Sequence, residues 1–220
     1  MPLAPRVPPS ASTAAVASAL GLVVDTGPDT VARLRLHGRT LVAHARDTLM
    51  AVPGFDVVVV GGGVSRTVPA LAPDEPWRTR VSGTLVVHDP CCPLLPPSAV
   101  RECLDRLATA GPGSAVIGVR PVTDTIKEVV DGSIVGTVDR DSLTALASPV
   151  AVGQELLDPL SRALPLAGQL ADLPAVVQAL SDLGNVVPVQ VSSSARRVGD
   201  DSDVALLECL HELRHTLREH

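Results

Sequence analysis

The chain reads as an α/β domain: a largely parallel sheet flanked by helices. Three observations predict this. Valine-rich runs alternate with helical periodicity, which calls for crossover connections and parallel strands. Apolar residues make up 45% of the 220 residues but aromatics only 1%, so Val, Leu and Ala must fill the core. That composition suits helices packed on a Val-rich sheet buried on both faces.

The elements follow in order. "TLVAHARDTLMAV" places Leu41, Ala45, Leu49 and Val52 on one helical face, and Pro53-Gly54 ends it. "FDVVVVGGG" reads as a buried strand entering a glycine turn, and "SGTLVVHD" as a second strand. "PPSAVRECLDRLATAGPG" is an amphipathic helix closed by Gly111-Pro112-Gly113, and "SAVIGVRPV" a third strand. In "TIKEVVDGSIVGTVDR" two β-rich runs flank Asp131-Gly132, the dipeptide of a tight hairpin, which predicts an arm projecting from the core. Helices are expected near 153–164 and 170–183, then a strand "NVVPVQV" and a last helix capped by Asp201, Ser202 or Asp203. Residues 1–10, with four prolines in the first nine, read as a flexible tail, and 11–220 as one domain with the arm at about 123–141. The proline-rich, small-residue start argues against a secretory signal, and no run approaches a membrane span. A cytoplasmic protein is the expectation.

A formal net charge of −6 offers no general attraction for nucleic acid or an anionic membrane. Of 18 basic residues, Lys127 is the only lysine. The four cysteines, 91, 92, 103 and 209, form no C-x-x-C pair and no zinc spacing, so reduced thiols are expected, with Cys91 and Cys92 as small buried ones. Gly61-Gly62-Gly63 follows a strand as phosphate loops do, yet Arg66 holds the third glycine position of G-x-G-x-x-G and no Walker lysine is present, so a plain turn is the better reading. Asp89, at a strand's carboxyl end, is either a ligand for Mg²⁺ or a solvated turn residue. His211 and His215 lie four apart without the third ligand a metal would need.

"HDPCCPLLPP" followed by "PVTDTIKEVVDGSIVGTVDRDSLTALASP" resembles the 2-C-methyl-D-erythritol 4-phosphate cytidylyltransferases, whose motifs read H-D-A-A-R-P, P-V-x-D-T-(I/M)-K, T-x-D-R and (L/Q)-T-P. The match runs, with gaps, from about Gly38 to Leu210. The resemblance implies a Rossmann-like sheet, a homodimer clasped by the arm, and transfer of CMP from CTP to methylerythritol phosphate with Mg²⁺ as cofactor. It implies Asp89 at the nucleotide and metal, Gly62, Gly63 and Thr67 on the nucleotide turn, and Thr125 and Arg140 holding the second substrate. Arg197 falls where the family has a lysine near the reacting phosphates, and so is the candidate catalytic cation.

The departures concern charge. The family's glycine-rich A-A-G-x-G-x-R loop has no counterpart before "VVDTGPDT", and the lysine that follows it aligns with Val31. Arg33 and Arg35 are the nearby candidates to replace that lysine, although a guanidinium differs from an ammonium in reach and geometry. The arginine of H-D-A-A-R-P is Cys92. Two functions stay open: an active or altered cytidylyltransferase, or a non-catalytic dimeric paralogue that serves as a ligand-binding or regulatory scaffold.

Overall fold

The computed structural model describes residues 19–25, 30–61 and 70–216, leaving aside the side chains of 211 and 214–216. The flexible tail expected at 1–10 and the nucleotide-turn residues Gly62, Gly63 and Thr67 lie outside the described residues, as do the side chains of His211 and His215.

The strands are β1 (Ala19–Val24), β2 (Arg35–Leu36), β3 (Arg39–Thr40), β4 (Phe55–Val60), β5 (Ala70–Leu71), β6 (Thr84–His88), β7 (Ser114–Pro121), β8 (Ile126–Val130), β9 (Ser133–Val138), β10 (Thr144–Val152) and β11 (Asn185–Gln190). The α-helices are α1 (Leu41–Met50), α2 (Pro97–Ala110), α3 (Gln154–Ala163), α4 (Leu173–Leu183) and α5 (Asp201–Thr216). Seven strands form one sheet in the order β11-β7-β10-β6-β1-β4-β5. Every neighbouring pair is parallel except those made by β10, which runs antiparallel to β6 and β7.

Alternate residues of the same strands feed two cores. Leu22, Leu85 and Ile117 pack on one face with Leu157, Leu160 and Leu180 of α3 and α4. Val23, Val86 and Val116 pack on the other with Leu49 of α1 and Val100 and Cys103 of α2. Burial on both faces explains why these strands read as unbroken valine runs. Trp77 is fully buried in the first core, with its indole Nε1 donating to Leu164 O at 2.6 Å.

Two central strands are not apparent from local pattern. β1 sits between β4 and β6 although its sequence, "ALGLVV", continues an alanine-rich stretch. β10 contains Pro149, which a central strand ordinarily excludes. Its register shifts between Ala147 and Val150, so the proline sits in an irregularity of the ladder. The last helix also differs from expectation: Asp200, not one of the three residues after it, accepts from the backbone N–H groups of Ser202 and Asp203. The helix expected from about 170 begins at Leu173, capped by Asp172, whose carboxylate accepts from Ala175 N; a short 3₁₀ turn, Ala167–Ala171, precedes it.

The arm forms as the sequence predicts. β8 and β9 pair only with each other, and Asp131 and Gly132 both take positive φ, 49° and 77°, as a two-residue hairpin turn requires. Ile126, Val129, Val130, Ile134 and Val135 on the arm are exposed.

Candidate functional site

Where the parallel strands β1 and β6 end, the chain opens a cavity of about 340 Å³ lined by Val24, Val31, Val87, His88, Asp89 and Arg197, with Leu170 and Leu173 opposite. This is the crevice beyond the strands' carboxyl ends where open α/β sheets place their ligands. A second cavity of about 440 Å³ shares Asp89, Arg197, Ala171 and Leu173 with the first and is walled by Cys92, Leu146 and Asp172. The Asp89–Arg197 pair therefore stands on the boundary of both. A third cavity, of about 460 Å³, lies at the other end of the sheet against Ala19, Phe55 and Thr84, away from these groups.

Asp89 is buried and held by three partners. Oδ2 accepts from Arg197 Nε at 2.9 Å, and Oδ1 accepts from Cys91 N at 2.8 Å. Its own N–H donates to Ser148 Oγ at 3.0 Å, and that hydroxyl lies 2.5 Å from His88 Nδ1. His88 has no solvent exposure, and its Nε2 has no hydrogen-bond partner among the described residues. Burial lowers the imidazole to about 4, with Asp89 opposing the shift, so His88 is neutral at ordinary pH. Burial alone would depress the Arg197 guanidinium, but the Asp89 charge and hydrogen bond push it up. Asp89 is thus no solvated turn residue; it is a fixed charge on the floor of both cavities.

The structure brings Asp89 and Arg197 together and leaves Thr125 and Arg140 elsewhere. Thr125 and Arg140 are exposed at the root of the arm, where Arg140 Nη1 donates to Thr123 O at 2.9 Å, and neither lines the two cavities that share Asp89. Lys127 donates to Thr137 Oγ1 across the arm. Val31, on which the resemblance aligns the family's lysine, lines the first cavity. Neither neighbouring arginine replaces that cation: Arg33 pairs with the buried Asp25 at 2.7 Å, and Arg35 donates to Gly38 O. Cys91 and Cys92 are buried free thiols pushed up to about 12, chiefly by desolvation, and so are inert as nucleophiles. Sequence reasoning did not single out His88 and Ser148 as supports of Asp89; the H-D dipeptide and the A-S-P tripeptide carry them, sixty residues apart.

No group of three His, Cys, Asp or Glu side chains assembles among the described residues. Asp89 offers one carboxylate to the cavity, already engaged by Arg197. It suits a Mg²⁺ shared with the phosphates of a ligand better than a cation held by protein alone.

The family model for 2-C-methyl-D-erythritol 4-phosphate cytidylyltransferase matches residues 29–211. The chain belongs to that family. Among curated cytidylyltransferases of the same description, that of Rhodococcus jostii is 38% identical over 116 residues, covering 50% of this chain and 47% of the relative. That of Frankia casuarinae is 31% identical over 165 residues, 74% of this chain and 59% of the relative. The chain thus spans about half to three fifths of the length of these two relatives, whereas the Saccharopolyspora erythraea protein, 34% identical, is covered over 67% of its length. A solved 4-diphosphocytidyl-2C-methyl-D-erythritol synthase superposes with a TM-score of 0.68 at 18% identity, over 88% of this chain and 98% of that one. The Thermus thermophilus cytidylyltransferase superposes at 0.66 and 22% identity, over 86% and 97%. The cytidylyltransferase fold is therefore shared throughout, and the sheet is Rossmann-like. No described helix is long and apolar enough to cross a membrane.

Proposed function

We propose that this chain is a cytidylyltransferase homologue in which transfer of CMP from CTP to methylerythritol phosphate is weakened by orders of magnitude or lost, leaving a cytoplasmic, dimeric, ligand-holding scaffold. The observation that carries this reading is Val31. An apolar side chain lines the cavity at the position matching the family's lysine, and the lining cation, Arg197, is already paired with Asp89. Phosphoryl chemistry of this kind depends on preorganised charge around the triphosphate. Losing one such contact costs about 10² to 10³ in rate.

The remaining parts keep their implied roles within this proposal. Arg197 would face the reacting phosphates once released from Asp89. Asp89 would hold Mg²⁺ jointly with the nucleotide's phosphates, and the ion would supply charge neutralisation there. Thr125 and Arg140, exposed on the arm, would serve the site of the other protomer. The apolar residues exposed on β8 and β9 support an arm-mediated homodimer, because an unpaired two-stranded ribbon with this much exposed apolar surface gains stability by covering it.

The test is purified protein with CTP, Mg²⁺ and methylerythritol phosphate, followed for pyrophosphate release, with CTP binding measured separately. The expected result is turnover far below the ~1 to 10³ s⁻¹ usual for enzymes; a rate within that range refutes the proposal. Deleting Thr125–Arg140 is expected to convert the dimer to a monomer in sedimentation analysis, and an unchanged mass refutes the arm's role.

A further inference from the structure

The first cavity, beyond the ends of β1 and β6, has one cation among its described lining residues, Arg197, and one anion, Asp89, and the two are paired at 2.9 Å. The formal charge of the lining is therefore zero. His88, also in the lining, is neutral at ordinary pH. Most of the remaining wall is apolar: Val24, Val31 and Val87, with Leu170 and Leu173 opposite. Arg33, two residues beyond Val31, is outside the lining and is held by the buried Asp25. An anion entering this cavity meets no described cation that is not already matched to a carboxylate.

The ion pair suits a different kind of ligand. Arg197 bonds Asp89 through Nε, and its guanidinium makes no other hydrogen bond among the described residues. Its side chain is 59% exposed, so the Nη groups are accessible donors. Each Asp89 oxygen accepts one hydrogen bond, Oδ2 from Arg197 and Oδ1 from Cys91 N, and a carboxylate oxygen has a second lone pair to offer. Donor and acceptor thus stand side by side, the complement of an amide edge. A phosphate can use Arg197 only by displacing Asp89, which strands a buried carboxylate without its cation. An uncharged ligand can use both groups while the pair stays intact.

We propose that the first cavity selects a compact, uncharged ligand with an amide-like edge, such as a carboxamide, a lactam or an aminopyrimidine, over phosphorylated counterparts of the same ligand, and that Val31 sets this preference. The volume of about 340 Å³ is at the small end of ligand pockets, and the facing valine and leucine walls suit the flat faces of such a group. The inference rests on the proposed reading of this groove as the ligand site of a scaffold that has lost transfer, and names the class of ligand the scaffold holds.

The experiment is calorimetric titration of the full chain, with Mg²⁺ present, against cytidine, CMP and CTP, which share one such edge and differ in charge. Cytidine is expected to bind at millimolar concentration or below, and at least as tightly as either nucleotide. Absence of cytidine binding, or CTP tighter than cytidine by about threefold or more, overturns the proposal. This order in the unmodified protein decides the matter even if no variant folds. R197Q removes the donors and is expected to weaken cytidine by about tenfold; an unchanged affinity, with a urea midpoint showing that the variant folds, places the ligand elsewhere and overturns the proposal. V31K is expected to invert the order, tightening CTP by about tenfold through a cation on the wall and loosening cytidine through lost apolar contact; a folded V31K that still prefers cytidine refutes the role given to Val31. Binding and turnover are read separately. Tight CTP binding without turnover refutes this selectivity and leaves the proposed function standing, whereas rapid pyrophosphate release in the transfer assay refutes the proposed function and leaves the selectivity to the titration.

Discussion

Acidification isolates His88. The imidazole is fully buried, bonded through Nδ1 to Ser148, and lowered from an ordinary 6.5 to about 4 mainly by desolvation. In the unfolded chain it titrates near its ordinary value, so between these limits the unfolded state binds one more proton than the native state. The burial of neutral His88 is therefore fully tolerated above about pH 6.5, and stability falls as pH drops from there toward 4, by about 1.4 kcal/mol per unit. From about pH 7 to about pH 4.5 the His88 share of this loss amounts to about 2 kcal/mol. Urea unfolding of the unmodified protein and of His88→Gln measures it, because carboxylates that titrate in the same range are common to both and cancel in the difference. The stability advantage of the unmodified protein over the variant should shrink by about 2 kcal/mol across that range. An advantage independent of pH would refute the reasoning. A native-state NMR titration showing His88 protonated above about pH 6 would do the same, since it would mean that burial leaves the imidazole near its unperturbed value.

Three further outcomes are expected. Gly61→Ala should destabilise the fold by roughly 3 kcal/mol or more, because φ is +100° and a Cβ there would lie 1.8 Å from Asp25 O, at the junction of β1 and β4; chemical denaturation checks it, and a change under about 1 kcal/mol contradicts it. In the native protein near neutral pH a thiol reagent should label one of the four cysteines, Cys209, which is exposed, while Cys91, Cys92 and Cys103 are buried with thiols near 12; mass spectrometry before and after unfolding counts them, and rapid labelling of Cys91 or Cys92 in the folded state contradicts the assignment. Val31→Lys should raise CTP affinity by about tenfold by returning a cation to the cavity wall; no gain in a titration would mean that this wall does not face the phosphates.

Much of the fold was legible because its information is local. The valine runs of β4, β6 and β7, the helical spacing of α1 and α2, and the Asp-Gly turn of the arm each carry their own structural preference within a few residues. β1 and β10 were not legible for the opposite reason. "ALGLVV" acquires strand geometry from β4 and β6 on either side, and β10 tolerates Pro149 only through a register shift that its partners permit. In the site, Asp89 was visible from its place after a strand and Arg197 only through resemblance. Nothing local to either residue announces that they meet across 108 positions.

The sequence by itself determined which charges this protein can bring to a ligand: a single lysine, Lys127, that lies in the arm, a valine at position 31 and a cysteine at position 92. Those are chemical identities, and no folding can restore an ammonium that is absent. The tertiary structure alone decided how the remaining charges are used. It pairs Arg33 with Asp25 and Arg197 with Asp89, and buries His88 as a neutral support. Charge pairing depends on separations of a few ångströms and on burial, and both arise only when strands distant in sequence are laid side by side.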